Sequence, residues 1–307
     1  MAKKAYIGVN GLAREVKAMY AGVDGAARRI VKAYIGVNGV ARQFYAANAP
    51  LALSYSGSMS YEDDGPYRYF TFTDSGTLTA NRSFAADVWI CGGGGRGANG
   101  AFRINSSDVW YLWSGGGGGG GHTGDFSGIM PASCSVIVGA AGGTSELAAL
   151  SLTAAPGAIG AGSTNGGAVG NGSGGSGGGG YFNEKIDDET KYYYYAGGSG
   201  DGVSTVPFGD SHFLSYCAGG GGGYRGGNGG SNGGSGTKPT SRSDYGTGGT
   251  SGGGRGGGER LAGSDATAYG GGGGGGGQGG SVTRSPAGGS GYQGVCFLRV
   301  ALAEFGL

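Results

Sequence analysis

Eight consecutive glycines, Gly270–Gly277, constrain this chain more than any other stretch. Seven more stand at Gly115–Gly121, and shorter runs at Gly92–Gly95, Gly177–Gly180 and Gly219–Gly223. Glycine has no side chain to bury and loses the most backbone entropy on folding. A run of this length therefore has two physical outcomes. One is disorder, the usual state of an aperiodic glycine-rich chain. The other is polyproline-II geometry, with three residues per turn, about 3.1 Å rise and no internal hydrogen bonds. Every N–H and C=O of such a helix is free. Without Cβ atoms, neighbouring helices can approach closely enough to bond one another. The joints decide between the two. Ala86–Cys91 enters Gly92, and His212–Cys217 leads to Gly219; both read as strands with aromatic or β-branched members. Disordered linkers are poor in such residues. The sequence predicts an ordered array of packed polyglycine-II helices. The two uninterrupted runs belong at its centre. The Gly-Gly-X stretches at 226–235 and 174–176 put every X on one edge, and so face solvent on one side.

Bulk properties exclude several classes. Net charge is +1 and 13% of residues are charged, too few for a basic face that neutralises nucleic-acid phosphates. No stretch approaches the roughly 18 apolar residues of a membrane span. Met1-Ala2-Lys3-Lys4 is followed by no apolar signal-peptide core, so synthesis and folding in a cytoplasm are expected. Cys91, Cys134, Cys217 and Cys296 lie far apart in apolar segments, without Cys-x-x-Cys spacing. They read as reduced, buried hydrophobes rather than zinc ligands.

Residues 1–46 repeat with a period of 14: Tyr6, Tyr20 and Tyr34 correspond, as do Gly8, Gly22 and Gly36. Asn10-Gly11, Asp24-Gly25 and Asn38-Gly39 supply the residues a type I′ hairpin turn needs. Three such turns predict a four-stranded antiparallel meander over 3–9, 12–23, 26–37 and 40–46. Its register sets Val9 opposite Leu12, Val23 opposite Ala26 and Val37 opposite Val40. One face then gathers apolar residues such as Ile7, Val16, Ile35 and Phe44, and the other Lys4, Glu15, Lys17 and Arg28. A sheet this small is marginal alone. It must pack on the later domain, on copies of itself or on another protein.

A joint at Asn48-Ala49-Pro50 opens a polar linker, 47–66, that carries Glu62-Asp63-Asp64. Beyond it, strands are expected at 69–73, 77–79, 84–91, 134–138, 147–152, 208–217 and 295–300. Between the glycine runs lie non-repetitive segments rich in aromatics, at 101–114, 181–195, 237–245 and 259–269. Read as loops on a rigid framework, they form the arrangement that binding surfaces use. The expected fold is thus mainly β. It comprises the meander (1–46), a linker (47–66) and a glycine-rich domain (67–307) of short strands and polyglycine-II helices with aromatic loops.

The order strand, glycine run, loop, glycine run, with Ser135–Gly143 and the closing Gly289–Val300, resembles the glycine-rich domain of bacteriophage and prophage tail proteins. The resemblance covers roughly 67–303. The repeat Tyr-Ile-Gly-Val-Asn-Gly-Val-Ala-Arg at Tyr34–Arg42 is similar to one at the start of tail proteins from phages of gut Gram-positive bacteria. In architecture, though not in alignable motifs, the chain is also similar to the distal tail-fibre adhesins of T-even-like phages, whose polyglycine lattice presents receptor-recognising loops. The resemblance implies a virion tail protein assembled in the bacterial host cytoplasm, without catalysis or cofactor. Residues 1–46 would join other tail proteins, the loops would meet a host surface protein or glycan, and homo-oligomerisation stays open. The receptor-binding candidates are Trp110, Tyr111, Trp113, Tyr192, Tyr193 and Tyr194. The rival is an inert tail or baseplate component in which Trp110 and Trp113 merely cap the array.

Catalytic and metal patterns are weak. Gly-x-Gly-x-x-Gly matches arise by chance in a chain with 82 glycines. Gly209-Asp210-Ser211-His212 on a strand would point alternately to opposite faces and so cannot form a relay. His122 reads as a loop residue. Glu62-Asp63-Asp64 and Asp187-Asp188-Glu189 read as solvated turns, where Ca²⁺ is chemically reasonable.

Overall fold

The computed structural model describes residues 6–9, 12–15, 20–23, 26–30, 32–37, 40–46, 49–104, 110–161, 177, 181–186, 189–194, 206–223, 252–258, 260–277 and 285–307. The chain is mainly β, with antiparallel sheets and, among the described residues, no helix of seven residues or more. Among the described residues no helix is long and apolar enough to cross a membrane. Two compact units separate: Met1–Ala52 with Glu304–Gly306, and Leu53–Ala303 with Leu307. The Gly-Gly-X stretches at 226–235 and 174–176, segment 237–245, Asp187-Asp188 and the three hairpin-turn dipeptides lie outside the described residues.

The first unit holds β1 (Tyr6–Val9), β2 (Leu12–Glu15), β3 (Tyr20–Val23), β4 (Ala26–Arg29), β5 (Lys32–Val37) and β6 (Val40–Ala46). Val9 stands opposite Leu12, Val23 opposite Ala26 and Val37 opposite Val40, each pair closing a two-residue connection. Among the described residues these pairs form three two-stranded sheets, β1–β2, β3–β4 and β5–β6; residues 16–19 and 31, which would join them into the expected meander, lie outside the described residues. A two-residue turn specifies its own ladder.

The second unit begins with β7 (Leu53–Tyr55), β8 (Met59–Asp64), β9 (Tyr67–Phe72), β10 (Gly76–Ala80) and β11 (Phe84–Cys91). It continues with β12 (Ala101–Ile104), β13 (Trp110–Trp113), β14 (Thr123–Met130), β15 (Ser133–Val136), β16 (Ser145–Leu147) and β17 (Leu152–Ala154). Last come β18 (Tyr181–Ile186), β19 (Glu189–Tyr194) and β20 (Val295–Ala301). A five-stranded sheet runs β14-β11-β20-β9-β8, and a three-stranded sheet β15-β10-β7. The two meet through Phe72, Leu78, Cys134, Val136 and Cys296, all buried, with Tyr55 edge-on to Phe72 at 4.7 Å between ring centroids. Burial pushes the Tyr55 phenol up to about 12 and raises the Cys296 thiol. All four cysteines are free and buried. Residues 53–55 and 59–64, within the stretch assigned above to a linker, are thus sheet strands of this unit.

β11 shows how the sheet is used. Its first half alternates buried Phe84 and Ala86 with exposed Ala85 and half-buried Asp87. Its second half, Val88–Cys91, is buried throughout, because the segment 206–217 covers the other face there. Trp89, Cys91, Cys217, Val295 and Phe297 form that second core, packed by Phe208, Phe213, Tyr216 and Tyr269. Segment 206–217 is not the expected strand. It carries a 3-10 turn at Pro207–Gly209, and Phe208 and Cys217 sit at φ 56° and 60°. The left-handed region costs an L residue about 1–2 kcal/mol, so tertiary packing of these aromatics overrides their strand propensity. The expected strand 147–152 is likewise broken, by a 3-10 turn at Ala148–Leu150 that ends on Ser151 at φ 52°.

Three neighbouring strands of the five-stranded sheet, β14, β11 and β20, join glycine segments directly. β11 continues as 92–100, β14 is preceded by 115–122, and β20 by 285–294. Neighbours are kept while the repeat changes. The N–H groups of Gly92, Gly95 and Ala98 donate to His122, Gly119 and Gly116, and those of Gly94, Gly97 and Gly100 to Tyr292, Gly289 and Pro286. Bonds to a given partner recur every third residue.

Gly270–Gly277 is the centre of this array, and all eight residues are buried. Gly272 and Gly275 donate to Ala218 and Gly221, Gly273 and Gly276 to Gly95 and Ala98, and Gly274 and Gly277 to Ser264 and Leu261, at 2.8–2.9 Å. Its carbonyls accept from Gly254 and Gly257, from Gly118 and Gly115, and from Tyr292 and Gly289, at 2.7–2.8 Å. Three donor directions and three acceptor directions give six neighbouring segments. Only glycine permits this closeness. A Cβ on Gly273 would meet the Gly289 carbonyl carbon at 2.5 Å and Ser290 O at 2.6 Å, both backbone atoms. Segment 261–264, expected to be part of an aromatic loop, is one of the six. Tyr269 packs on Tyr216 and Tyr292 rather than standing free.

Candidate functional site: an aromatic sheet at one end of the array

The bonding pattern gives the array two ends. At one end, Cys91, Cys217, Gly270 and His122 adjoin the sheets. At the other stand Gly100, Gly115, Gly223, Gly277 and Pro286, tied by Gly100 N–H to Pro286 O, Gly115 N–H to Gly276 O and Gly223 N–H to Gly115 O. The chain leaves this far end at Gly100, forms β12 and β13, and returns at Ser114, which is fully buried. The β12–β13 hairpin is thus an excursion between two segments of the array that bond each other directly.

β13 pairs with β18, and β18 with β19, in a four-stranded sheet β12-β13-β18-β19. The stretches 101–114 and 181–195, expected as separate loops, are therefore hairpins of one sheet. All six candidate residues lie in it: Trp110, Tyr111 and Trp113 on β13, and Tyr192, Tyr193 and Tyr194 on β19. The register joins them across β18. Trp113 stands opposite Phe182, which stands opposite Tyr193; Tyr194 stands opposite Tyr181. Trp113 is half-buried, as expected of a residue beside the array. Two local signals favour strands here. Aromatic residues suit a pleated surface, and only two residues separate Ile186 from Glu189, the length of a tight hairpin.

A second constellation lies on the five-stranded sheet. The Asp210 carboxylate accepts from the Tyr69 hydroxyl at 2.8 Å and from the His212 backbone N–H at 3.1 Å. These bonds hold it below the usual carboxylate range, the His212 bond first. The Arg299 guanidinium donates twice to Asp87, at 2.8 and 3.0 Å, and lies 3.7 Å from Asp210. It sits between the Tyr67 and Phe208 rings, 4.7 Å from each centroid. His212 presents Nε2 to Glu62 at 2.8 Å and Nδ1 to Asp64 at 3.3 Å. A carboxylate therefore stands at each nitrogen of the ring.

Glu62, Asp63 and Asp64 are strand residues of β8, not a solvated turn. Asp63 binds Arg68 in a bidentate pair at 2.6 and 2.8 Å, on the opposite side of the strand from Glu62 and Asp64. Among the described residues no group of three His, Cys, Asp or Glu side chains is placed to hold a metal ion. His122 is buried and ends an array segment, its N–H donating to Ala155 O, rather than sitting in a loop. The His212 cluster joins residues far apart in sequence, Tyr69 to Asp210 across 141 positions and Glu62 to His212 across 150, and no local motif announces it. No known protein-family model matches the chain, and no curated protein matches it.

Proposed function

We propose that this chain is a structural protein of a bacteriophage virion tail that presents a receptor-binding surface to its host and performs no catalysis. The observation that carries this reading is the array itself. A rigid, backbone-bonded framework roots an aromatic sheet at the end remote from the β-sheets. The step of three residues between bonds to one partner, the six neighbours of Gly270–Gly277 and its burial all support packed polyglycine-II helices as the framework. Residues 1–46 serve as the module that joins other tail proteins, in a virion assembled in the host cytoplasm. The receptor, a surface protein or glycan, meets the sheet at Trp110, Tyr111, Trp113, Tyr192, Tyr193 and Tyr194, since interface energy concentrates in a few Trp, Tyr and Arg residues.

The half-burial of Trp113 favours one competing role, an inert tail component whose aromatic sheet only caps the array. Adsorption separates the two. Alanine at Trp110 and Tyr193 should abolish binding of particles to host cells and leave the melting temperature nearly unchanged. A large fall in melting temperature with adsorption retained by the surviving protein supports capping. Unaltered adsorption with unaltered stability removes the receptor-binding role from this sheet.

A further inference from the structure

Segment 206–217 lies over one half of the five-stranded sheet as a strap. It shields Trp89 and Phe297, both 3% exposed, beneath Phe213 and Tyr216. Its backbone is strained at Phe208 and Cys217. Cys217 anchors one end, fully buried, with its N–H donating to Tyr269 O. Toward the other end the ties are polar. The His212 ring stacks on Tyr69 at 5.0 Å, with 18° between planes, and spans to the edge strand β8 through Glu62 and Asp64.

We propose that the strap 206–217 is a pH-sensitive cover on the sheet, latched by the imidazolium of His212 between Glu62 and Asp64 and loosened when that ring becomes neutral. The geometry favours the charge: Nε2 lies at hydrogen-bond distance from Glu62, 2.8 Å, and Nδ1 lies 3.3 Å from the Asp64 carboxylate, so the imidazolium meets a negative charge at each nitrogen. A neutral ring keeps one N–H and turns a lone pair toward the other carboxylate.

The surrounding charges sharpen the effect. Glu62 and Asp64 face the ring from β8, Asp210 from the strap itself, and Tyr69 from β9. On β20, Arg299 lies against Asp210 and Asp87, while Asp63 is occupied by Arg68. The connected network thus holds four carboxylates (Glu62, Asp64, Asp87 and Asp210) against one permanent cation, Arg299. A charged His212 leaves an excess of two negative charges, a neutral one an excess of three. The Glu62 bond, then the charges of Glu62, Asp64 and Asp210, raise the imidazole above its ordinary value. A raised folded value means the latch is fully present below the unfolded histidine value of about 6.5 and is lost as pH rises through the folded one. Ordinary carboxylates, phenols and guanidinium groups do not titrate between about pH 6 and 9, and Tyr69 is pushed above its usual range.

Amide hydrogen exchange on the full-length protein tests this, with rates corrected for intrinsic pH dependence. Peptides across 206–216 should lose protection between about pH 6 and pH 9, while those across 84–91 hold theirs. In His212→Gln the strap should show the low protection at both pH values. A strap whose protection does not change with pH, or a His212→Gln variant with the wild-type response, overturns the proposal. A titration of the imidazole proton resonances is independent of how that variant folds. The protein has two histidines, and His122→Asn assigns the signals. The His212 midpoint should lie above that of free histidine and fall in Glu62→Gln. A midpoint at or below the free value also overturns it.

Discussion

The paired sheets and the glycine array are built from one chain, yet they are held by opposite means. Between the sheets the contact is made by side chains: Phe72, Leu78, Val136 and Leu298 are all at 2% exposure or less, and burial of their apolar area is the driving term. At the centre of the array there are no side chains. Its stability comes from backbone groups that would be costly to bury unpaired, together with dispersion contacts at distances Cβ atoms would forbid. The entropy of ordering glycine opposes this more strongly than for any other residue. A core of the first kind tolerates changes of shape that keep its volume. A core of the second kind has no slack at inward positions and no preference at outward ones.

The largest expected effect follows from that contrast. Gly273→Val puts a branched side chain against the backbone of 289–290, where even a single Cβ has no room. The clash is repeated on no flexible side chain that could move aside. The cost should exceed the roughly 0.5–3 kcal/mol of a typical point mutation and abolish soluble folded protein, read by circular dichroism and protease resistance. A Gly273→Val protein that melts like the wild type would mean the inward positions do have slack, and the contrast would fail.

Between the sheets the same size of insult should be graded. Phe72 is 1% exposed and meets Tyr55. Phe72→Ala should cost about 3–5 kcal/mol, whereas Phe72→Leu should cost roughly 1.5 kcal/mol or less if the site repacks. Thermal melts of the two variants measure the difference. If both variants lost the fold as Gly273→Val is expected to, side-chain packing between the sheets would be as rigid as backbone packing in the array.

The same contrast explains what could be read in advance. β11 is bounded at Phe84 and Cys91 as expected, because an apolar run that stops at glycine carries both its strand and its end. The burial of Gly115–Gly121 and Gly270–Gly277 was also legible, since a segment without side chains has no outward face to prefer. Two features were not. The pairing of β13 with β18 joins Trp113 to Phe182 across 69 residues, and strand partners at that distance leave no local mark. The strap carries a strand-like sequence, but packing of Phe208 and Phe213 on Tyr69 and Phe297 fixes it in another shape. Local chemistry was legible; long-range pairing was not.

The smallest expected effect tests the outward positions. In segment 155–161 the residues take turns by threes. Gly157 and Gly160 are buried and donate to Gly93 O and Arg96 O, while Ala155, Ala158 and Ala161 accept from 122, 119 and 116. Pro156 and Ile159 hold the third position, and Ile159 is 70% exposed. Ile159→Ala removes three carbons that touch little, so stability should change by no more than about 0.5 kcal/mol. One residue along, a Cβ on Gly160 would meet Ala98 N at 2.9 Å and fall on the Gly116 carbonyl. An abrupt change of tolerance between adjacent residues is the signature of a three-residue repeat; a strand with a period of two would place 157 and 159 on the same face. A loss well beyond 0.5 kcal/mol in Ile159→Ala would show that this side chain is covered in the working protein. Concentration dependence of the melting temperature would then identify the cover as a second copy of the chain.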